Sequence, residues 1–439
     1  MSVKEISINA NDLIDRLLAP DLVARMAILD SCGVNHLGSH ILIAGIDAVE
    51  TTELSNDDPS ETLRLLDDQL SSEHAVIFTI SYDFGRKLIG DRGTKSSPEP
   101  DVFIAQFDTV IVHDYDTGVT FISGNPDKFD SILGDLKTGC SLNGLNSESR
   151  SEVISDLSKD EYLAAIEIIK ENIREGNTYQ TNLTQKLTAE LPAELTPEII
   201  FQRLRNDHAA PFAAFIPRRD STVVSASPER FFKVERNSET QTRRITTSPI
   251  KGTRPRGKTK KEDESLRLDL LSSPKDRAEN TMIVDLLRND LGRVCEYGSV
   301  KVEKLCEVEE HPTLFHLVST VSGTLRDETK PSDILNALFP CGSITGAPKI
   351  STMSIIDEIE PSDRGLSMGA IGCYIPPGTF GLSEMLDLNV AIRTMVIRGS
   401  TATFNVGGGI VIDSDSQSEY DESLTKAKAL LTAINGNKF

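Results

Sequence analysis

Short strand-like runs recur along this 439-residue chain, and they constrain its fold more than any single motif does. DVFIAQFDTVIVHDYDTGVTFISG, from Asp101 to Gly124, holds two apolar runs around Asp116-Thr117-Gly118 and predicts a hairpin. TYQTNLTQKL, from Thr178, alternates. Tyr179, Thr181, Leu183 and Leu187 fall on one face, and Gln180, Asn182 and Thr184 on the other, a polar face suited to lining a site. VVSASPERFFKVERNSETQTRRITTSPIKG, from Val223, predicts two strands joined through Asn237-Ser238, which brings Glu229 and Lys251 near each other across the pair. AIGCYI from Ala370, LNVAIRTMVI from Leu388 and ATFNV from Ala402 predict further strands.

Long helical segments are few. LSKDEYLAAIEIIKENIREGN, from Leu157, predicts a helix with a Ser158/Glu161 capping box, a stripe of Tyr162, Ile166 and Ile169, and Gly176 as its stop. SPKDRAENTMIVDLLRNDLGRV, from Ser273, sets Ala278, Met282 and Leu286 on one face and Asp276 and Glu279 one turn apart. A last helix follows a turn at Gly407-Gly408-Gly409. The polar stretch KTGCSLNGLNSESRSE, from Lys137, reads as a linker, so residues 1–150 form one region and 151–439 another. The expected class is α+β.

Net charge is 46 − 67 = −21. A nucleic acid or an anionic membrane would need a local basic patch to overcome that repulsion, and no such patch stands out. Six cysteines without a C-x-x-C pair indicate neither a disulfide framework nor a zinc site, and fit a reducing cytoplasm. The start lacks the apolar core of a signal peptide, and no apolar run is long enough to span a bilayer.

GTRPRGKT, from Gly252 to Thr259, satisfies the phosphate-loop pattern, which would give Lys258 and Thr259 to a nucleotide. A phosphate loop follows a buried apolar strand, whereas the lead-in here carries adjacent Arg243 and Arg244. MIVDLL, at Met282, imitates an apolar strand ending in a metal-binding aspartate, but its spacing is helical. Both matches read as accidental, and Lys258 as solvated.

Other residues carry chemistry only in combination. Glu419, Glu422 and Lys426 share one helix face, and a carboxylate from it with one from Asp276/Glu279 would suit Mg²⁺; a plain surface ion pair between Glu422 and Lys426 is the alternative. Lys251 is a nucleophile if enclosed beside Arg254 and a metal, and otherwise an exposed lysine. Glu229 is a proton donor if poorly solvated, and otherwise the salt-bridge partner of Arg230 or Arg254. His316, among apolar neighbours, is either a core histidine or a catalyst. FPCGSITGAPKI, containing Ser343, can offer amides and hydroxyls to an anion or form an ordinary turn. Arg393, in an apolar strand, needs an anion, either a structural acid or a substrate carboxylate.

Taken together, SPERFF, PIKGT, DRAENTMIVDLLRNDLGRV, HLVSTVSGTL, FPCGSITGAPKI and GGGIVIDSDSQSEYDESLTKAKALL resemble the chorismate-utilising enzymes, a family that includes anthranilate, aminodeoxychorismate, isochorismate and salicylate synthases. The blocks stand in the family's order from about Ser158 to the C-terminus. Gln180 occupies the position where the water-adding members carry a general-base lysine, so the chain resembles the ammonia-using branch. Lys251 and PFAAF, from Pro211, resemble the aminodeoxychorismate-forming members, where anthranilate synthases carry alanine and N-P-S-P-Y.

The resemblance implies an intertwined fold of two packed, antiparallel-rich β-sheets flanked by helices. It implies Mg²⁺ between Glu279 and Glu422, with Glu419 and Asp276 nearby, and chorismate as substrate. It further implies that Lys251 attacks ring carbon 2 while Glu229 protonates the departing 4-hydroxyl, after which ammonia displaces the lysine. Arg393, Tyr374, Gly407, Gly408, Gly409 and Lys426 are implied at the substrate carboxylates, and Gln180, Asn182, Thr253, Ser343 and His316 around them. The partner implied is a separate glutamine amidotransferase subunit, since the chain has no cysteine in a G-x-C-x-G elbow. The Leu-Leu-Glu-Ser motif of tryptophan-inhibited members is missing, so the resemblance does not extend to feedback control. The alternatives are an anthranilate-type synthase, a nucleotide-binding phosphohydrolase and a non-catalytic chorismate sensor.

Overall fold

The structure is a computed structural model that describes residues 2–35, 40–90, 95, 97–138, 151–311 and 314–436; most of the expected linker, and Cys140 within it, lies outside these residues. Two large sheets dominate, one of twelve strands and one of ten, and every pairing between their strands is antiparallel. Apolar side chains from both sheets, among them Ile43, Ile77, Phe103, Phe107, Ile216 and Ile371, make one core cluster. Two further clusters join an outer face of each sheet to helices, one through Leu13, Leu204 and Leu430, the other through Leu66, Leu291 and Leu335. The layers are therefore helix, sheet, sheet, helix, the architecture that the resemblance implies.

Strands of the first 125 residues enter both sheets. Met26–Asp30 pairs with Phe212–Pro217 in the twelve-stranded sheet, and Ala75–Ile80 pairs with Ala370–Ile375 in the ten-stranded one. The hairpin at Asp116-Thr117-Gly118 forms between Thr109–Asp114 and Thr120–Gly124, with Gly118 at φ +71°. The other apolar run, Val102–Phe107, belongs to the opposite sheet, so the chain changes sheets at Asp108.

The chain crosses between the sheets in the same way at Asp47-Ala48-Val49 and at two further places. Between Thr222–Ser227 and Arg230–Arg236 the chain passes from the twelve-stranded to the ten-stranded sheet through Pro228-Glu229. Between Met385–Val390 and Thr394–Arg398 it returns through Ala391, Ile392 and Arg393. The run LNVAIRTMVI is therefore two strands rather than one: the first ends at Val390, the second begins at Thr394, and Arg393 between them takes φ +49°.

The helix over Lys159–Arg174 has the expected capping box, and Tyr162, Ile166 and Ile169 are buried. In the helix Pro274–Gly292, the buried stripe is Ile283, Val284, Leu287 and Leu291 instead of Ala278, Met282 and Leu286. Both stripes have helical spacing, and packing on the ten-stranded sheet selects the one with more apolar surface. Gly407, Gly408 and Gly409 are not a turn. They lie inside the strand Thr401–Ile410, paired with Thr184, Leu183 and Asn182 of Gln180–Glu190. A side chain at Gly407 would bring a Cβ to 1.8 Å from the Leu183 carbonyl oxygen, so only glycine allows this approach. The strand Gln180–Glu190 is buried on both faces through residues 180–185, because it is interior to its sheet and covered by helices.

Candidate active site

The lining of a large cleft comes from the last two crossings, four strands, a short 3-10 turn and two helices, and encloses about 810 Å³. Glu229 and Arg393 enter from the crossings, Lys251 and Thr253 from Ile250–Pro255, and His316 from Leu314–Thr324. Asp276 and Glu279 come from Pro274–Gly292, and Glu419, Glu422 and Lys426 from Ser416–Asn435. Asn182, Ser343, Gly407 and Gly409 complete the residues that the sequence nominated.

Lys251 and Glu229 meet because one hairpin is continued past an interruption. Arg230–Arg236 pairs with Arg243–Thr247, with Lys233 opposite Thr246, and the same register carried beyond Ser248-Pro249 sets Glu229 opposite Ile250. The Ile250 amide and the Ser343 hydroxyl bond to the Glu229 carboxyl. Glu229 is only 6% exposed, and its Oε1 has no hydrogen-bond partner among the described residues. Burial pushes its pKa up, against the opposing pull of Lys251, those two hydrogen bonds and Lys426, so the protonated form is favoured over that of an ordinary glutamate. The Lys251 ammonium donates to the Ser343 carbonyl oxygen at 3.2 Å. Gly252, at φ +81°, lets this strand lie on the first turn of Pro274–Gly292; a Cβ there would stand 2.8 Å from Asp276 Cγ.

The phosphate-loop reading fails on the same segment. Ile250–Pro255 is an antiparallel strand, and the Gly257 and Lys258 amides already donate to Asp263 Oδ1 (2.8 Å) and Glu262 Oε2 (2.9 Å). Thr259 caps the helix Lys260–Ser272, and Lys258 is exposed. Acidic side chains hold the amides that a phosphate would require.

Arg393 lies mostly buried at its crossing, and burial lowers its pKa. Among the described residues its guanidinium has no carboxylate partner, which leaves a desolvated cation facing the cleft. His316 shares a hydrogen bond of 3.0 Å between its Nδ1 and Thr253 Oγ1, and its ring meets His311 edge-on.

The acids converge from two helices. Glu279 makes no side-chain hydrogen bond or ion pair among the described residues; burial raises its pKa, opposed by Lys251 and Lys275, with Asp276 and Glu419 adding to the rise. Glu419 accepts from the Ser414 hydroxyl at 2.7 Å and from Lys275 at 3.2 Å. Glu422 is paired to Lys426 at 2.8 Å; burial pushes its pKa up, but Lys426, Lys275 and Lys251 outweigh it and the net shift is downward. Asp276 is paired to Arg254 at 3.2 Å. Among the described residues no three acid, histidine or cysteine side chains stand close enough to hold a metal as placed. The donors nevertheless fit a hard divalent cation in kind: they are carboxylates of two facing helices, and ammonium groups sit on two of them.

Three nominated residues lie away from the cleft wall. Gln180 is fully buried, with neither amide atom paired among the described residues, and its Nε2 stands 2.4 Å from where a Gly409 Cβ would be. Gly408 is turned toward Lys426 and Glu419. Tyr374 is half-buried in Ala370–Ile375, near Glu384 and Arg236, and is not part of the cleft wall.

Sequence reasoning missed Lys275, Asn405 and the pair Glu360–Arg364. Glu360 Oε1 accepts from the Thr184 amide at 2.7 Å and its hydroxyl at 3.0 Å. Arg364 donates to the carbonyls of Asn182 (2.7 Å) and Ile344 (3.0 Å), and pairs with Glu360 at 2.7 Å. These side chains fill the edge of Gln180–Glu190 left open between its neighbouring strands, and so fix Asn182 in the cleft. An i,i+4 acid–base pair is too common a signal to have singled them out. Lys275 had a better one: a cation in the first turn of a helix opposes the helix dipole and calls for a reason.

The fold and the cleft define an enzyme-like α+β protein built to receive a small anion. The chain belongs to the chorismate binding enzyme family, whose model matches residues 29–432. It is 37% identical to an aminodeoxychorismate synthase of Streptomyces griseus over 81% of this chain, and spans about half, 49%, of that relative's length. It is 35% identical to an anthranilate synthase component 1 of Haloarcula marismortui, covering 89% of this chain and 82% of the relative. It is 34% identical to the aminodeoxychorismate synthase component 1 of Bacillus subtilis, covering 81% of this chain and 76% of the relative. The crystal structure of anthranilate synthase component I from Streptococcus pneumoniae superposes with a TM-score of 0.76 at 27% identity, over 90% of this chain and 93% of that one.

Proposed function

We propose that this chain aminates chorismate at ring carbon 4, giving 4-amino-4-deoxychorismate, with Lys251 as a covalent nucleophile. The observation that carries the reading is the buried carboxyl of Glu229, its pKa raised by burial, beside Lys251 in one cleft. In the first step Lys251, having given its ammonium proton to solvent, bonds to carbon 2, the ring double bonds shift, and the 4-hydroxyl leaves as water with the proton of Glu229. In the second, ammonia bonds to carbon 4, the double bonds return, and the lysine nitrogen leaves with its electron pair. A proton carried in by ammonia returns to Glu229. The sum is chorismate plus ammonia giving the amine and water.

Arg393 and Lys426 would neutralise the carboxylates of the dianionic substrate. Their local charge offsets the repulsion from a chain of net charge −21. Glu279 and Glu422, with Glu419 and Asp276 near them, would hold Mg²⁺, which when bound supplies further positive charge for the ring carboxylate. Ammonia would come from a separate glutamine amidotransferase. The five described cysteines are free, as a reducing cytoplasm allows, and no described helix is long and apolar enough to cross a membrane.

The Haloarcula relative favours a second reading, an anthranilate-type synthase. Mass analysis of the product from chorismate, Mg²⁺ and ammonium separates the two, since anthranilate with pyruvate would reject our choice. Intact-mass analysis during turnover tests the covalent step: an adduct on the Lys251 peptide is expected, and a fully active, unmodified Lys251→Ala variant would refute it.

A further inference from the structure

We propose that Lys275 is a built-in competitor for the divalent cation, holding Glu419 beside Glu279 and Glu422 until a metal displaces its ammonium group. The inference rests on the metal reading above.

Lys275 is the second residue of Pro274–Gly292, where the exposed amides of the first turn already make a positive end. A cation is out of place there unless something else holds it. Its Nζ reaches Glu419 Oε1 at 3.2 Å, across 144 residues of sequence, on the same oxygen that takes the Ser414 hydroxyl. Glu279 and Glu422 also act on this ammonium electrostatically. Lys275 therefore sits where carboxylates of both helices converge, and it neutralises the donors that a metal would use.

The competitor can withdraw. The Lys275 side chain is half-exposed, so it can swing into solvent without opening the core, whereas Glu419, 4% exposed, cannot turn away from the cleft. Displacement by a doubly charged ion would leave one lysine free and bring the carboxylates together.

Mn²⁺ binding to the full chain without substrate, followed by the electron paramagnetic resonance signal of free Mn²⁺, tests this without reading activity. Lys275→Met should lower the Kd for Mn²⁺ by about threefold or more, as expected for losing one contacting charge. Lys275→Arg, which keeps the charge, should stay within about twofold of the unmodified chain. Arg277→Gln removes an equal charge from the same helix at a residue outside the cleft wall, and should change little. Equal tightening in Lys275→Met and Arg277→Gln would overturn the inference, because general electrostatics would then suffice, and tightening in neither would overturn it too. Mn²⁺ binding that Glu422→Gln abolishes but Lys275→Met does not tighten overturns the competitor alone. Absence of bound Mn²⁺ in every protein overturns the metal reading with it.

Discussion

At the scale of single residues, Glu229 makes opposite demands on activity and stability. As a proton donor it should be worth about 10²–10⁴ in kcat, so Glu229→Gln should lose that factor and the alkaline limb of the pH–rate profile together. Stability moves the other way. The folded chain binds the Glu229 proton more tightly than the unfolded chain, whose value is near 4.5, so folding is favoured below that pH and penalised as pH rises through the raised pKa. Thermal melts should show Glu229→Gln matching the parent near pH 4 and exceeding it at pH 8; equal melting temperatures at both would contradict the shift. Gly407 has no such tolerance. A Cβ 1.8 Å from a backbone oxygen cannot be relieved by a rotamer change, so Gly407→Ala should cost about 3 kcal/mol or more in chemical denaturation.

At the scale of elements, the strand Gln180–Glu190 depends on two side chains for part of its ladder. Removing Arg364 leaves Glu360 charged and buried and strips the Asn182 and Ile344 carbonyls of their donor. Arg364→Met should cost about 3–5 kcal/mol and also lower kcat/KM, because Asn182 would lose its fixed place. A variant equally stable and equally active would show that the pair is ornamental. The same element marks the limit of reading a sequence. Alternation gave the strand and its polar residues, but not that both faces are buried, which follows from the sheets and helices laid against it. The helix Pro274–Gly292 repeats the lesson. Its existence and its Asp276/Glu279 spacing were legible, while the buried stripe was chosen by packing.

At the scale of the whole molecule, the two sheets are shared by residues from both ends of the chain. The fragment 151–439 would lose Met26–Asp30 and Ala75–Ile80, and with them Ile43, Ile77, Phe103 and Phe107 of the shared core. Expressed alone it should show no cooperative thermal transition, and co-expression with 1–150 should restore one; a stable, active fragment would show the halves to be independent.

The sequence by itself determined the local features that neighbours along the chain control: strand periodicity, the Ser158 capping box, helical spacing of the acids, and the blocks shared with a family. Those blocks nominated residues for the cleft long before any of them was known to touch another. Only the tertiary structure decided which of them share one space, because Glu229 and Arg393 owe their places to crossings between sheets that no local pattern encodes. It also decided which way burial moves their proton affinities. A carboxyl at position 229 is an ordinary acid in the chain as written, and its pKa is raised only where distant strands exclude water from it.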